Sequence, residues 1–317
     1  MSAKHPFTLA FVIPCYNEEE VLPQTKEELL ALRARLIQRG LITSESFICF
    51  VDDGSSDRTW ELIQSYTAHP AIKGLKLSRN FGHQNALLAG LFYAEGLADG
   101  AVSLDADLQD DIWAIEEMCE KFIGGCEIVY GVRRKRESDT YFKRSTAEGF
   151  YKLMAFMGVD IVYNHADFRL MSKRALSWLK EFEEVNLFLR GIIPLLGLKS
   201  DVVYYDRKER AAGSSKYPLK KMLAFAWDGI TSFSVAPLRF ITILGGIVLV
   251  FSLILSIWAL IAKLSGSAVS GWTSMMLIVL FLGGVQMLSL GIIGEYIGKI
   301  YKETKRRPRF FVEKIVG

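Results

Sequence analysis

The sequence predicts an α/β domain with a mostly parallel sheet, followed by an interfacial helix and two transmembrane helices. Three observations lead to this prediction. In residues 1–215, short apolar runs alternate with longer amphipathic ones, the order typical of a parallel sheet covered by helices. Two long charge-free runs follow, Phe240–Ala262 and Leu264–Gly294. The basic residues are concentrated after them, where Lys299–Gly317 contributes +5 to a formal net charge of only +3.

The first part of the chain is expected to contain five strands with four helices between them. The strands are predicted at Phe7–Ile13, Phe47–Val51, Leu75–Leu77, Ala101–Leu104 and Ile128–Tyr130. The helices are predicted at Glu18–Arg39, Arg58–Ala68, His83–Leu97 and Ile112–Phe122. In such sheets ligands bind beyond the carboxyl ends of the strands. The residues that follow each strand are therefore the candidates for chemistry.

The two charge-free runs predict membrane spans at residues 238–263 and 272–294. The first run alone would extend ~34 Å as a helix, which exceeds the ~30 Å hydrocarbon core of a bilayer. The stretch Ser265–Gly271, rich in serine and glycine, is expected to form a short turn between the spans. A pair of buried helices in a soluble core is the alternative, although two adjacent runs of this length are unusual there.

The distribution of basic residues predicts the orientation of the hairpin. Lysines and arginines precede the first span and follow the second, whereas only Lys263 lies between the two charge-free runs. Both ends of the chain are therefore expected on the cytoplasmic side of the inner membrane, with residues 295–317 as a basic tail. Residues 216–237 include Tyr217–Phe233, where apolar and charged residues mix as in an interfacial helix. An ordinary surface helix is the alternative.

Composition and missing motifs exclude several classes of protein. Residues 1–298 carry a formal charge of −2, so the folded body has no basic excess for nucleic-acid binding. The four cysteines lack CxxC spacing and are expected to be reduced structural thiols. The absence of GxxxxGK[ST], GxGxxG after a strand, HExxH and GxSxG argues against kinase, dehydrogenase, zinc hydrolase and serine hydrolase functions.

Acidic residues gather where predicted strands end. Asp52 and Asp53 follow the second strand, and Asp105-Ala-Asp107-Leu-Gln109-Asp-Asp follows the fourth. Neighbouring carboxylates raise one another's pKa unless a cation intervenes, and oxygen ligands suit Mg²⁺ or Mn²⁺. This pattern predicts a metal site that would bridge to the phosphates of a substrate. A short acidic loop without metal is the alternative.

Basic residues later in the chain have two interpretations each. The run Arg133–Arg136 could bind a phosphate in the bidentate manner of arginine, or be a solvated charge run. Asp167 and Arg169 place an acid beside a base, which also fits a structural ion pair. The stretch Arg210–Tyr217 is expected to be a flexible basic loop next to the membrane.

Seven motifs, in order along the chain, carry a resemblance to a known family. They are Ile13–Glu19, Val51–Asp57, Ser78–His83, Asp105–Gln109, Phe168–Ser172, Gly213–Tyr217 and Gly294–Gly298 before Arg306-Arg-Pro. Together they resemble the GT-A glycosyltransferases of family 2, and within them the polyprenyl-phosphate glycosyltransferases, a group that includes dolichol-phosphate mannose synthases and bactoprenol glucosyltransferases. The resemblance covers about residues 7–311, and its last motif is similar to the tail of the two-span bacterial branch.

The resemblance implies a role for each candidate residue. Those implied to hold the nucleoside are Pro14, Tyr16, Glu18 and Asp53, with Asp105 beside them, and Asp53 is implied to recognise the base. Those implied to hold the metal and diphosphate are Asp105, Asp107 and Gln109. Those implied to bind the acceptor phosphate are Arg133, Arg144, Arg169 and Lys216, with Arg134 and Arg136 competing for the role of Arg133. Asp167 is implied to lie near the reacting centre, as a base or as an orienting group.

The implied reaction is transfer of one sugar from a nucleotide diphosphate donor to a polyprenyl phosphate, with inversion. The two-span pattern favours UDP-glucose and undecaprenyl phosphate, with an aminoarabinose-type donor or GDP-mannose as alternatives. No QxxRW sequence is present, which argues against a chain-extending polymerase. A nucleotide-binding membrane adaptor and a small transporter subunit are the other classes considered. Glycines at 294 and 298 indicate helix packing and hence a homo-oligomer.

Overall fold

The computed structural model describes residues 5–134, 165–184, 189–206, 231, 235–265 and 271–317. The chain forms two compact units. The first contains the alternating part of the sequence together with Arg306–Gly317, and the second contains Tyr217–Lys305. The predicted interfacial segment 216–237 and the basic loop Arg210–Tyr217 lie largely outside the described residues, as does most of the Ser265–Gly271 turn.

The first unit is built on an eight-stranded sheet. Its strands are β1 (Leu9–Cys15), β2 (Phe47–Asp52), β3 (Ile72–Leu77), β4 (Gly100–Ser103), β5 (Ile128–Arg133), β6 (His165–Ser172), β7 (Ser200–Tyr205) and β8 (Val312–Val316). The order across the sheet is β7-β5-β6-β4-β1-β2-β3-β8. Neighbours pair in parallel except at β6 and β8, which are antiparallel to the strands beside them. The predicted α/β fold with a mostly parallel sheet is confirmed.

Helices connect the strands and cover the sheet. They are α1 (Leu22–Gln38), α2 (Thr59–Tyr66), α3 (His83–Glu95), α4 (Ala114–Ile123), α5 (Lys173–Lys180) and α6 (Leu189–Leu195). Strands β1 and β2 are buried along their whole length, as expected for central strands with both faces covered. Helix α3 packs closely on these two strands at Gly90. A Cβ added there would come within 2.4 Å of Val12 and 2.7 Å of Val51, so only glycine fits.

The five predicted strands and four predicted helices all occur, with ends shifted by a few residues. Residues 165–206 add β6, β7, α5 and α6, which were not among the predicted elements. Strand β8 differs from expectation, since it lies within the stretch predicted as a basic tail. Helical structure also continues past residue 294 to Thr304. Basic side chains are good helix formers, so charge alone does not end the helix, whereas Pro308 prevents its continuation.

The second unit contains two long helices, α7 (Ala236–Leu264) and α8 (Trp272–Thr304), which contact each other. Within them, Pro237–Leu255 and Phe281–Thr304 are long and apolar enough to cross a membrane. Large apolar side chains such as Phe240, Ile247 and Met287 are exposed on their surfaces. An apolar surface of this extent is unfavourable in water and suits lipid.

Candidate functional site

The loops after β1 and β2 are joined into one rim at the carboxyl edge of the sheet. Asn17 adopts a left-handed backbone conformation with φ 54°. Its N–H donates to Ser55 Oγ at 3.0 Å, and its side-chain oxygen accepts the N–H of Ser56 at 2.8 Å. The N–H of Glu18 likewise donates to Thr59 Oγ1 at 2.8 Å. Because these bonds cross between the loops, they hold the two loops together as one rim.

The predicted nucleoside residues on the β1 side occupy different environments. Tyr16 lies on the rim with 48% of its surface exposed, so its ring is accessible to a planar ligand. Pro14 is buried within β1, and Glu18 is half-buried at the start of the loop. Of the three, Tyr16 is the residue whose exposed ring could stack on a base.

Asp53 is buried and holds a neighbouring loop, Ser78–Gly82. Its two carboxylate oxygens accept the N–H groups of Phe81 at 2.7 Å and Gly82 at 2.9 Å. Burial raises the pKa of Asp53, and these two bonds oppose the rise. In this arrangement the carboxylate organises the Ser78–Gly82 loop, and recognition of a base by Asp53 stays a prediction.

The acidic loop after β4 brings Asp105 next to the amino end of α3. His83 Nε2 lies 3.6 Å from Asp105 Oδ1, and the N–H of Gln109 donates to Asp107 Oδ1 at 3.2 Å. Leu108, between Asp107 and Gln109, has a left-handed backbone conformation with φ 47°. Burial raises the pKa of Asp105, and the nearby carboxylates act in the same direction. A cation placed here would relieve that repulsion.

The donor atoms of this loop fit a metal site that a substrate completes. Among the residues that the structure describes, no group of three or more His, Cys, Asp or Glu is arranged to hold a metal ion. Asp105 and Asp107 nevertheless offer two carboxylates. Mg²⁺ is commonly held by one or two carboxylates, several waters and substrate phosphates. The residues present therefore fit a shared site better than a closed protein cage.

Arg133 is held at the carboxyl end of β5. Its Nη2 lies 3.0 Å from Asp110 Oδ1, and its Nε donates to the hydroxyl of Tyr205 at 3.2 Å. Arg134 instead reaches the exposed Asp206, at 3.5 Å. The other competing arginine, Arg136, and the predicted phosphate residues Arg144 and Lys216 lie outside the described part of the chain.

Asp167 is clamped between two arginines. Arg169, fully buried in β6, contacts one of its oxygens, and Arg190 Nη2 lies 3.1 Å from the other. Burial raises the pKa of Asp167, but the two guanidinium groups outweigh burial, and the net pKa lies well below the usual range. A carboxylate held in this way stays ionised and is a weak base.

The burial of Arg169 affects its predicted role. Its guanidinium faces Asp167 and not solvent, the structural ion pair that was the alternative interpretation. Arg190, in contrast, has 34% of its side chain exposed and was not predicted as a site residue. The sequence does contain a signal, because Arg190 is the single charged residue in the apolar run Leu187–Leu198. A lone cation in such a run needs a partner or a ligand.

Comparisons with known proteins identify the family of the chain. The family described as Glycosyl transferase family 2 matches residues 10–179, and the GtrB C-terminal hairpin matches residues 236–300. An uncharacterized glycosyltransferase, YkoT of Bacillus subtilis (strain 168), is 55% identical over 306 residues, covering 96% of this chain and 91% of the relative. The prophage bactoprenol glucosyl transferase homolog of Escherichia coli (strain K12) is 39% identical over 313 residues, covering 97% and 99%.

A solved structure is similar at lower identity. Mannosyl-3-phosphoglycerate synthase from Rubrobacter xylanophilus superposes with a TM-score of 0.47 at 16% identity, covering 70% of this chain and 71% of the other. The family assignment rests on the sequence matches. Together with the mostly parallel sheet and its acidic loop after β4, they confirm the GT-A type fold that the motifs imply.

Proposed function

Because the chain belongs to the family 2 glycosyltransferases, we propose that it transfers a single sugar from a nucleotide diphosphate sugar to a polyprenyl phosphate. The proposed pair is UDP-glucose and undecaprenyl phosphate, since relatives named bactoprenol glucosyl transferase match nearly the whole chain. The observation that carries the proposal is the arrangement at the carboxyl edge of the sheet. There the rim with Tyr16 follows β1, and the Asp105–Gln109 loop follows β4. The clamped Asp167 lies near the start of β6.

On the donor side, Tyr16 would stack on the base, and the rim would hold the ribose. Asp105 and Asp107, with Gln109 beside them, would hold a Mg²⁺ or Mn²⁺ ion together with the diphosphate. The ion would supply charge stabilisation for the departing nucleoside diphosphate. Asp53 would act through the loop it holds.

On the acceptor side, the attacking atom is a phosphate oxygen that is already anionic at neutral pH. It needs positioning and relief from repulsion more than removal of a proton, so a strong base is unnecessary. The low pKa of Asp167 agrees with an orienting role. Arg133 and Arg190 would attract the phosphate, with Arg144 and Lys216 proposed beside them, and Arg169 would act by fixing Asp167. Direct attack from the opposite face would invert the anomeric centre.

The membrane arrangement that we propose has two spans with the catalytic unit on the cytoplasmic face. Strands β1–β7 and strand β8 belong to one sheet, although α7 and α8 lie between β7 and β8 in the chain. A sheet cannot form across a bilayer, so the chain must cross an even number of times between them. Two apolar helices of spanning length meet that requirement. The basic residues at both outer ends favour the cytoplasmic side.

The test measures sugar transfer by the purified full-length protein in detergent, with undecaprenyl phosphate as the acceptor. The donors compared are UDP-glucose, an aminoarabinose donor and GDP-mannose, and the mass of the product is the readout. We expect one hexose added from UDP-glucose, and loss of the product when EDTA removes divalent cations. Asp107→Ala should lower turnover by at least ~10²-fold, the scale of removing a group that stabilises charge in the transition state.

The matched control is Asp201→Ala, which removes an exposed carboxylate at the amino end of β7, on the opposite edge of the sheet. This variant should turn over at the wild-type rate. Near-normal turnover of Asp107→Ala would contradict the metal assignment, and absence of transfer from every donor by the wild type would contradict the proposed function itself.

A further inference from the structure

The segment Arg309–Val316 extends the sheet of the first unit at one edge. Strand β8 pairs antiparallel with β3, placing Val316 opposite Gly74 and Val312 opposite Leu77. Lys76 Nζ lies 3.1 Å from a carboxylate oxygen of Glu313. These contacts cover an edge that would otherwise present unpaired backbone groups.

The residues just before β8 do more than cover this edge, because they contact the Ser78–Gly82 loop. The carbonyl of Phe311 accepts the N–H of Ser78 at 3.0 Å, and the Phe311 and Phe81 rings lie 6.3 Å apart at 56°. On the other side of the segment, Phe310 lies 6.4 Å from Phe92 of α3. The guanidinium of Arg309 contacts the carbonyl of Phe182 after α5.

The loop that Phe311 contacts is the one that Asp53 organises. Phe81 packs against Phe311 with its side chain and donates its N–H to Asp53 with its backbone. The backbone N–H of Asp53 in turn donates to the carbonyl of Cys15 at 2.9 Å, just before Tyr16 on the rim. A continuous set of contacts therefore runs from Phe311 through the Ser78–Gly82 loop to the proposed nucleoside site.

We propose that the Arg309–Val316 segment is a positioning element of the nucleotide site, with Phe311 as its main contact through Phe81. This rests on the proposed function, since it assigns the segment a role in donor binding. A role limited to covering the sheet edge would not need Phe311. That residue precedes the first residue of β8, and 57% of its surface is exposed, so it contributes little to the core.

The test compares Phe311→Ala with Ile315→Ala in the full-length protein. Ile315 is an exposed apolar residue of the same segment, opposite Leu75 and away from the loop. For Phe311→Ala we expect the KM for UDP-glucose to rise roughly fivefold, in the range that loss of one aromatic pair allows. We expect kcat and the KM for undecaprenyl phosphate to stay within twofold. Ile315→Ala should leave all three near wild type, and Phe311→Tyr should restore donor binding.

Amide hydrogen exchange gives a readout that needs no turnover. In Phe311→Ala without donor, the amides of residues 78–82 should exchange faster than in wild type, while those of β1 and β2 stay protected. Unchanged exchange of the loop, or an unchanged donor KM with a faster loop, would overturn the proposal. Equal effects of Phe311→Ala and Ile315→Ala would overturn it too, because they would indicate a general loss of the sheet edge. If the wild type used no nucleotide sugar, the proposed function would fail, and the exchange comparison would still test the contact.

Discussion

At the scale of single residues, the ion pairs around Asp167 decide what this carboxylate can do. A buried charge is costly unless opposite charges surround it, and here two arginines from different elements do so. Arg169 belongs to β6 itself, whereas Arg190 comes from α6. Their combined effect keeps Asp167 ionised and its position fixed. The half-exposed Arg190 is then the member of this set that can also reach a ligand.

Removal of Arg190 tests its assignment to the acceptor phosphate. In Arg190→Ala, Asp167 keeps Arg169 as a partner, so we expect the fold to survive while the KM for polyprenyl phosphate rises roughly tenfold or more, the scale of a lost charge-assisted bond. The donor KM should change far less. Arg174→Ala is the control, because Arg174 is exposed and pairs with Glu127 at 3.5 Å. A selective increase in the donor KM would contradict the assignment.

The candidate site could be predicted from sequence where its residues are close together in the chain. Asp105, Asp107 and Gln109 form a local cluster after a recognisable strand, so position and chemistry were visible together. Arg190 is far from Asp167 in sequence, and only the tertiary structure brings them together. The burial of Arg169 and Asp53 also could not be predicted from the sequence, since a motif identifies a residue type but not the atoms that its side chain faces.

At the scale of elements, the position of the Ser78–Gly82 loop depends on its close approach to Gly54 in the turn after β2. Gly54 has φ 68°, and a Cβ there would lie 2.5 Å from the carbonyl carbon of Arg79. The glycine is therefore required both by its backbone conformation and by the space it leaves. Since the obstructing atoms are backbone, the loop itself would have to move.

Gly54→Ala should consequently weaken donor binding by displacing this loop. Gly40→Ala is a close control, because Gly40 has φ 66° and nothing within 4 Å of its added Cβ. Both variants carry the left-handed strain of about 1–2 kcal/mol, which thermal unfolding measures. Only Gly54→Ala should also raise the Kd for the nucleotide, by roughly tenfold or more, as measured by calorimetry with UDP. Equal nucleotide affinity of the two variants would contradict the role of the loop.

The elements that the sequence predicted well are those whose burial requires a continuous apolar run. β1 and β2 are such strands, and β4 beside β1 is likewise buried along its whole length. β8 could not be predicted in this way, because its VEKIV sequence is exposed and follows a highly basic stretch. Its pairing partner, β3, is distant in the chain, so only tertiary structure identifies it as part of the sheet.

At the scale of the whole molecule, β8 restricts the topology independently of charge. The sheet contains residues from both sides of the two apolar helices, so both sides must lie in one aqueous compartment. The basic residues then select which compartment, since lysine and arginine near membrane helices favour the cytoplasm. Strand pairing thus supports an even number of crossings, charge supports the cytoplasmic side, and together they support the proposed arrangement.

Reporter fusions test this arrangement in bacterial cells. Alkaline phosphatase, which is active only outside the cytoplasm, should be active when inserted in the Ser265–Gly271 turn and inactive when fused after Gly317. Green fluorescent protein, which fluoresces in the cytoplasm, should show the opposite pattern. Changing Lys299, Lys302 and Lys305 to Gln tests the contribution of charge. Strand pairing still requires the chain before α7 and the chain after α8 to lie in one compartment. In this variant, phosphatase should therefore still be active at one of the two insertion positions and inactive at the other. Active phosphatase at both positions would contradict an even number of crossings, and with it the pairing of β8 with β3 in the cell.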